Sequence, residues 1–426
     1  MGALPPYSKL GRTPYSVILR RNILPMASLF SNVELAPRDP ILGVTEAFNS
    51  DTRPGKVNLG VGVYYNDEGR IPILDCVRAA ERERLQAPTA RGYLPIEGPL
   101  AYATQVQRLL FGSDSEAVGS GRCVTAEALG GTGALKIGAD LLKRLAPDAV
   151  VMISEPSWEN HRALFEAAGF EVRNYPYYDP ATHGLDFARM MAALAQAQPG
   201  SIIVLHACCH NPTGVDPDLG QWRQIVECLH QRRLVPFLDF AYQGFGDGLE
   251  PDSAAVRLVA SAGIDALIAS SFSKSFSLYG ERVGALTALT GSRDQATRVL
   301  SQLKRVIRTN YSNPPTHGAS LVAAILGEAT LRAQWESELA AMRDRIRTMR
   351  ARLVDGLAGR GAATDFSFVR RQRGMFSYSG LSAAQVDRLR DQYGVYAVGT
   401  GRICVAALNS KNIDAACDAI VAVLKS

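Results

Sequence analysis

The sequence predicts an α/β protein, with a larger domain built on a mostly parallel central sheet flanked by helices and a smaller α/β domain beside it. Three observations carry this expectation. Short apolar runs alternate with amphipathic segments from about residue 149 onward. Most of the intervening segments are long enough for crossover helices. The chain has 426 residues, more than one hydrophobic core usually serves.

Taken in order, residues 1–33 hold Lys9, Arg12, Arg20 and Arg21 and no acid until Glu34, the composition of a transit peptide. Met26 offers a plainer reading, in which residues 1–25 are an extension ahead of the working start. The plainer reading is preferred because neither a small-residue cleavage site nor a long apolar stretch is present. It places the protein in the cytoplasm, with the mitochondrial matrix as the alternative. Residues 26–73 are turn-rich and are expected to join residues 331–426 in the smaller domain, leaving 74–330 for the larger one.

The stretch GGTGALKIGADLL, Gly130 to Leu142, reads as a glycine-rich turn leading into a helix near Gly133. Ile137, Leu141, Leu142 and Leu145 share one face of it, and Lys136, Asp140, Lys143 and Arg144 another. Buried strands are expected at 149–153, 201–205, 234–239, 266–271 and 283–290, and helices at 158–168 and 221–232. Pro236 weighs slightly against the third strand, because proline cannot donate to a ladder. Farther on, Trp335, Leu339, Met342, Ile346, Met349, Leu353 and Leu357 recur at spacings of three and four, with Arg343, Arg345, Arg347 and Arg350 off that stripe. This predicts a long amphipathic helix linking the two domains.

Composition excludes several functions. The 46 basic and 41 acidic side chains give no electrostatic case for nucleic acid. No apolar run approaches the roughly 18 residues of a membrane span. Seven cysteines with no CxxC, and six histidines with no HExxH, supply neither a disulfide framework nor a metal site, so a reducing compartment fits best. Cys208, Cys209 and His210 are adjacent, and adjacent residues seldom point at one ion.

Several chemically able residues fall just past expected strand ends, where open α/β sheets bind ligands. Lys274 stands in SSFSKSFSLYGERVG, directly after the apolar run Ala266 to Ala269. An amine pushed toward apolar surroundings has its charged form disfavoured, which makes it a nucleophile. The glycines before Lys136 leave helix N–H groups open to a phosphate. HNPTG, His210 to Gly214, offers Asn211 in a turn; FLDFAYQGF offers Asp239 and Tyr242; Ser271, Ser273 and Arg282 surround the lysine as candidate phosphate ligands. Each taken alone is ordinary. Together they supply an amine, a phosphate seat, a carboxylate and donors for a phenolate, which are the needs of pyridoxal 5′-phosphate.

From APRDPILG (Ala36 to Gly43) to the C-terminus the chain resembles the class I aminotransferases, in their aspartate and aromatic-amino-acid branch. The resemblance runs through NLGVGVYYNDEG, YLPIEG, GGTGALK, CCHNPTG, DFAYQGF, SFSKSFSLYGERVG, NYSNPP, GMFSYSGL and GVYAVGTGRICVA. It implies the type I fold of pyridoxal-phosphate-dependent transferases and a homodimer with shared active sites. It further implies that Lys274 is the Schiff-base and proton-transfer lysine, that Asp239 faces the pyridine nitrogen with His161 behind it, and that Tyr242 and Asn211 hydrogen-bond the ring phenolate. Trp158 would stack on the ring, while Gly131, Thr132, Ser271, Ser273, Arg282 and the second subunit's copy of Tyr93 would hold the phosphate. Arg402, with Gly62, Trp158 and Asn211, would bind the substrate, Arg402 gripping its α-carboxylate. Arg308 would reach across from the other subunit to a side-chain carboxylate.

In the pocket, Tyr65 and Ile71 resemble aromatic-type members, and Val63, Thr132 and Asn313 the aspartate type; Gly92 departs from both. The implied reaction carries the amino group of phenylalanine or tyrosine, and of aspartate, to 2-oxoglutarate, with aspartate aminotransferase as the alternative. Two other classes stay open at this point. A cofactor-binding regulator would need a DNA-reading module, and a pyridoxal lyase or decarboxylase would lack the paired arginines.

Overall fold

Seven strands make the central sheet in the computed structural model, which describes residues 28–36, 39, 41–87, 90 and 92–425. They are β1 (Cys123–Leu129), β2 (Val150–Glu155), β3 (Glu171–Pro176), β4 (Ile202–His206), β5 (Val235–Phe240), β6 (Ala266–Ser271) and β7 (Val283–Leu289), in the spatial order β1-β7-β6-β5-β4-β2-β3. Only β7 runs against its neighbours. Every residue of β4, β6 and β7 is buried, the pattern of a sheet covered on both faces.

Side chains that alternate along a strand serve opposite faces of a sheet, and two cores form accordingly. Ile203, Leu205 and Leu238 belong to one apolar cluster, and Ile202, Val204 and Phe237 to the other. The five expected strands lie within two residues of their expected ends. Pro236 sits second in β5, opposite Ile203, in the interior of the sheet. Two strands of this sheet escaped the sequence reading, β1 and the edge strand β3, which has only one buried residue.

The helices that matter to the site are α1 (Gly130–Leu145), α2 (Glu159–Ala167), α3 (Leu219–Gln231), α4 (Arg293–Asn310) and α5 (Ala329–Gly359). Helix α1 starts at Gly130, three residues earlier than expected, because β1 runs straight into it. Leu145, expected on its apolar face, is exposed at the last turn. Helix α3 is held at its start by a reciprocal capping box between Asp218 and Gln221. The apolar stripe of α5 is buried throughout its 31 residues, but Arg350, expected off that stripe, is buried with it. Its guanidinium donates to the carbonyls of Val369, Gly374 and Phe376 and to Ser377 Oγ, which replace the water it would otherwise need.

Residues 57–60 run beside the C-terminal part of the chain. Val57 and Asn58 pair in parallel with Val395 and Tyr396, and the Cys404 amide donates to the Leu59 carbonyl. A short antiparallel pair joins Phe376–Tyr378 to Arg402–Cys404. These links bring Gly62, Phe376 and Arg402 together over the sheet.

The chain divides into two compact units, Met1–Asp39 and Pro40–Ser426. The first exposes Leu29, Phe30, Val33 and Leu35; the extension read at residues 1–25 lies outside the described residues. Among the described residues no helix is long and apolar enough to cross a membrane. All seven cysteines are buried and unbridged.

Candidate active site

A cavity of about 340 Å³ opens beyond the carboxyl ends of β4, β5 and β6. The strands deliver its chemistry one by one: Trp158 after β2, Asn211 after β4, Asp239 and Tyr242 from the end of β5, and Ser271, Ser273 and Lys274 from the end of β6. Gly131 and Thr132 enter from the first turn of α1, Arg282 from the approach to β7, and Gly62 and Arg402 from the paired segments above. Of the residues expected to bind cofactor or substrate, all but Tyr93 and Arg308 line this cavity; His161 stands behind Asp239, and the expected pocket positions Val63, Tyr65, Ile71 and Asn313 are not part of the lining. Tyr93 is 96 % exposed, and Arg308, near the end of α4, is also on the surface, bonded to Ser312 Oγ.

One end of the cavity is built for an anion. The free N–H groups and dipole of the α1 N-terminus point into it. Arg282 Nη1 donates to Ser273 Oγ at 3.2 Å, and Ser273 Oγ lies 3.2 Å from Ser271 Oγ, so the two hydroxyls and the guanidinium form one cluster. Gly130 has φ +68°, and a Cβ there would come within 2.4 Å of the Arg282 guanidinium. The positive φ favours glycine here, and any side chain would push the guanidinium aside.

The middle of the cavity holds the acid and the amine. Asp239 is buried, and its Oδ2 accepts from His161 Nε2 at 3.0 Å, with His206 Nε2 4.0 Å away. Burial pushes the Asp239 carboxyl up, but the His161 hydrogen bond and the charges of His206, His161 and Lys274 outweigh it and hold it below the usual aspartate value. Lys274 is half-buried, with Nζ 4.9 Å from the centre of the Tyr242 ring. Burial lowers its ammonium from 10.5 to about 8, with Arg282 and Arg402 adding to the effect and Asp239 opposing it. Tyr242 is driven upward, first by burial and then by the Asp239 charge.

At the other end Arg402 is 1 % exposed. Nη1 donates to Asn211 Oδ1 at 3.1 Å, Nη2 to the Gly60 carbonyl at 2.7 Å, and the guanidinium lies 4.4 Å from the centre of the Phe376 ring. Its Nε is buried without a partner. Gly62 stands against the same ring, where a Cβ would be 2.6 Å from Phe376 Cζ.

Sequence reasoning missed His206, Phe376 and Tyr279. His206 sits opposite Asp239 in the β4–β5 register, a pairing that one sequence does not display. Phe376 and Tyr279 lie inside motifs quoted above, but nothing in either motif marks them as walls of the cavity. The structure also corrects the view of Cys208 and Cys209: ligand atoms of both converge with Asp252 within 4.8 Å. The Asp252 carboxylate is already bound by the amides of Gly244, Gly246 and Asp247, and no ion is needed to hold it.

An anion cradle, an amine of lowered basicity beside it and a carboxylate kept ionised behind match the phosphate, aldehyde and ring nitrogen of pyridoxal 5′-phosphate, and the residues present fit that group. Fold and site thus define a pyridoxal-phosphate-dependent transaminase. The comparisons narrow the class: a family model for aminotransferases of class I and II matches residues 54–420, and the chain belongs to that family. It is 65 % identical over 397 residues to an aspartate aminotransferase of Pseudomonas aeruginosa, covering 93 % of this chain and all of the relative. It is 50 % identical, with the same coverage, to the aromatic-amino-acid aminotransferase of Escherichia coli. The crystal structure of an aromatic-amino-acid aminotransferase from Burkholderia pseudomallei, covalently bound to pyridoxal phosphate, superposes with a TM-score of 0.91 at 66 % identity, over 93 % of this chain and all of that one.

Proposed function

We propose that the enzyme carries the amino group of phenylalanine or tyrosine, and of aspartate, to 2-oxoglutarate in a two-half cycle. An amino acid enters and leaves as a 2-oxo acid; 2-oxoglutarate then enters and leaves as glutamate. When bound, pyridoxal phosphate supplies an electron-accepting ring. The observation that carries the reading is Arg402, buried, with an unpartnered Nε, in the cavity that also holds Lys274 and Asp239. A fully buried guanidinium with donors to spare calls for a carboxylate, which it grips bidentately.

The other roles follow from chemistry at named atoms. Lys274 Nζ, with its basicity reduced, attaches the cofactor and then moves a proton at the substrate's α-carbon. Asp239, held as a carboxylate, keeps a proton on the ring nitrogen opposite it, and His161 keeps Asp239 oriented. Tyr242 Oη and Asn211 would hydrogen-bond the ring oxygen, Trp158 would stack on the ring, and Ser271, Ser273, Arg282 and the Gly131–Thr132 amides would bind the phosphate. Tyr93 and Arg308, exposed and outside their own chain's cavity, serve the site of a second copy, so the working unit is a homodimer, in the cytoplasm. Residues 26–73 and 331–426 act as a small domain against 74–330.

Apolar walls from Ile41, Leu42, Val61 and Phe376 suit an aromatic side chain. The second reading, aspartate first with minor aromatic activity, is favoured by the name of the Pseudomonas relative. Comparing kcat/KM for phenylalanine, tyrosine and aspartate with 2-oxoglutarate separates them. The aromatic reading fails if aspartate is preferred by more than about a hundredfold, roughly 2.7 kcal/mol of transition-state binding.

A further inference from the structure

A second cavity, of about 590 Å³, is larger than the first and shares none of its lining. Three structural segments meet there: helix α5, residues 370–374 ahead of Phe376, and the Phe245–Asp247 loop after β5. The helix presents Arg343, Arg347 and Arg350, spaced four and three apart and so on one face. The second segment adds Arg370, Arg371 and Arg373. The lining therefore carries six guanidinium groups, and its one acid is Asp247.

That acid is already shared. Asp247 Oδ1 is 2.9 Å from Arg347 Nη2, and Oδ2 is 2.8 Å from Arg373 Nε. Other carboxylates sit around the site but do not line it. Asp355 pairs with Arg370, Asp344 lies 3.7 and 3.8 Å from Arg343 and Arg347, and Asp365 and Asp216 act on Arg371 and Arg373 at longer range. Arg350 spends its donors on the backbone, so it contributes charge to the wall without needing a ligand.

Two polar atoms at the cavity make no hydrogen bond. Arg343 Nε, shielded from solvent, has only Asp344 Oδ1 at 3.7 Å, and Gln372 Oε1, on a side chain only 4 % exposed, has no donor. A buried acceptor left unpaired is costly, so its occupant should offer a hydroxyl or amino hydrogen. The lining itself sets six guanidiniums against one carboxylate and so favours an anion, and a phosphate group concentrates about 1.5–2 charges on oxygens that match the arginine fork.

We propose that this cavity is a second binding site, for a small molecule that carries at least two phosphate charges and a hydroxyl or amino donor, of nucleotide size. The site is separate from the cofactor's phosphate seat and uses residues the transamination does not. The wall that supplies Arg370 to Arg373 runs on into Phe376, which lines the active site.

The test is calorimetric titration of the cofactor-loaded enzyme with ATP in metal-free buffer, with pyrophosphate and citrate as comparison probes at equal ionic strength. One ATP binds saturably per chain, pyrophosphate binds more weakly because it lacks the nucleoside's hydroxyl and amino donors for Gln372, and the visible absorbance of the bound cofactor stays constant. The double variant Arg347→Gln, Arg371→Gln, which changes exposed side chains, weakens ATP binding at least about tenfold and leaves kcat/KM for transamination within about twofold. The proposal is overturned by absence of saturation, by equal affinity in the variant, by an ATP-induced change in the cofactor absorbance, or by citrate binding more tightly than ATP.

Discussion

His161 Nε2 donates to Asp239 Oδ2 at 3.0 Å, and Ser157 Oγ is 2.9 Å from the other ring nitrogen of the same histidine. With Nε2–H given to the carboxylate, the serine hydroxyl at Nδ1 fixes the ring's orientation. Asp239 is thereby held in place and kept ionised. Asp239→Ala should lower kcat/KM by about 1,000-fold or more, while His161→Asn should cost about tenfold, since it removes only the support. Steady-state kinetics on both variants checks the ranking, and equal losses would contradict it.

The amine of Lys274 should titrate far below an ordinary lysine. Its neutral form is the nucleophile, and its pKa is lowered from 10.5 to about 8. Cofactor uptake by the cofactor-free enzyme should accelerate as pH rises and level off above about 8, where the amine has lost its proton. Stopped-flow absorbance across roughly pH 6–10 measures this. A rate still climbing toward 10.5 would show that burial does not lower the amine.

Substituting Arg402→Lys should reduce kcat/KM about 100-fold or more for every amino donor, because one ammonium cannot reproduce the two-pronged grip. Kinetics with alanine as well as aspartate isolates the α-carboxylate contribution. A loss confined to aspartate would assign Arg402 to the side chain instead.

Gly130→Ala should damage both fold and cofactor retention. The new Cβ meets Arg282 at 2.4 Å on a backbone with φ +68°. A cost of about 1–3 kcal/mol in stability is the expected scale. Chemical denaturation together with the cofactor dissociation rate reads both effects, and wild-type values for either would contradict the cradle.

Glu127 is buried in β1 with neither carboxyl oxygen hydrogen-bonded, and burial pushes its pKa up to about 8. The folded state therefore keeps a proton that the unfolded state releases above 4.5, so this group makes stability fall between those pH values and adds no slope above about 8. Glu127→Gln should remove that slope and stabilise the protein by on the order of 2 kcal/mol at pH 8, with little change at pH 4. Denaturation at several pH values tests this, and a variant with an unchanged pH dependence would contradict it.

Much of the site could be read from the sequence because its residues sit at strand ends, where a strand of buried apolar residues stops and chemistry begins. Lys274 after Ala269, Asp239 after Leu238 and Asn211 in its turn all carry that local signature. His206 and Phe376 do not, since their importance comes from strand register and from the pairing of segments far apart in the chain. Strand β3 was missed because an edge strand facing solvent lacks the apolar run that marks the others. Arg350 was placed on the polar face because helical periodicity alone does not show that four acceptors await a buried guanidinium.

The central claim is that Lys274 bonds covalently to the cofactor in front of a carboxylate that keeps the ring protonated. Borohydride reduction of the freshly loaded enzyme, followed by peptide mapping, tests it most directly. The account predicts a single reduced adduct on the peptide containing Lys274, absent from Lys274→Ala. An adduct on another lysine, or none in fully loaded wild-type enzyme, would contradict it.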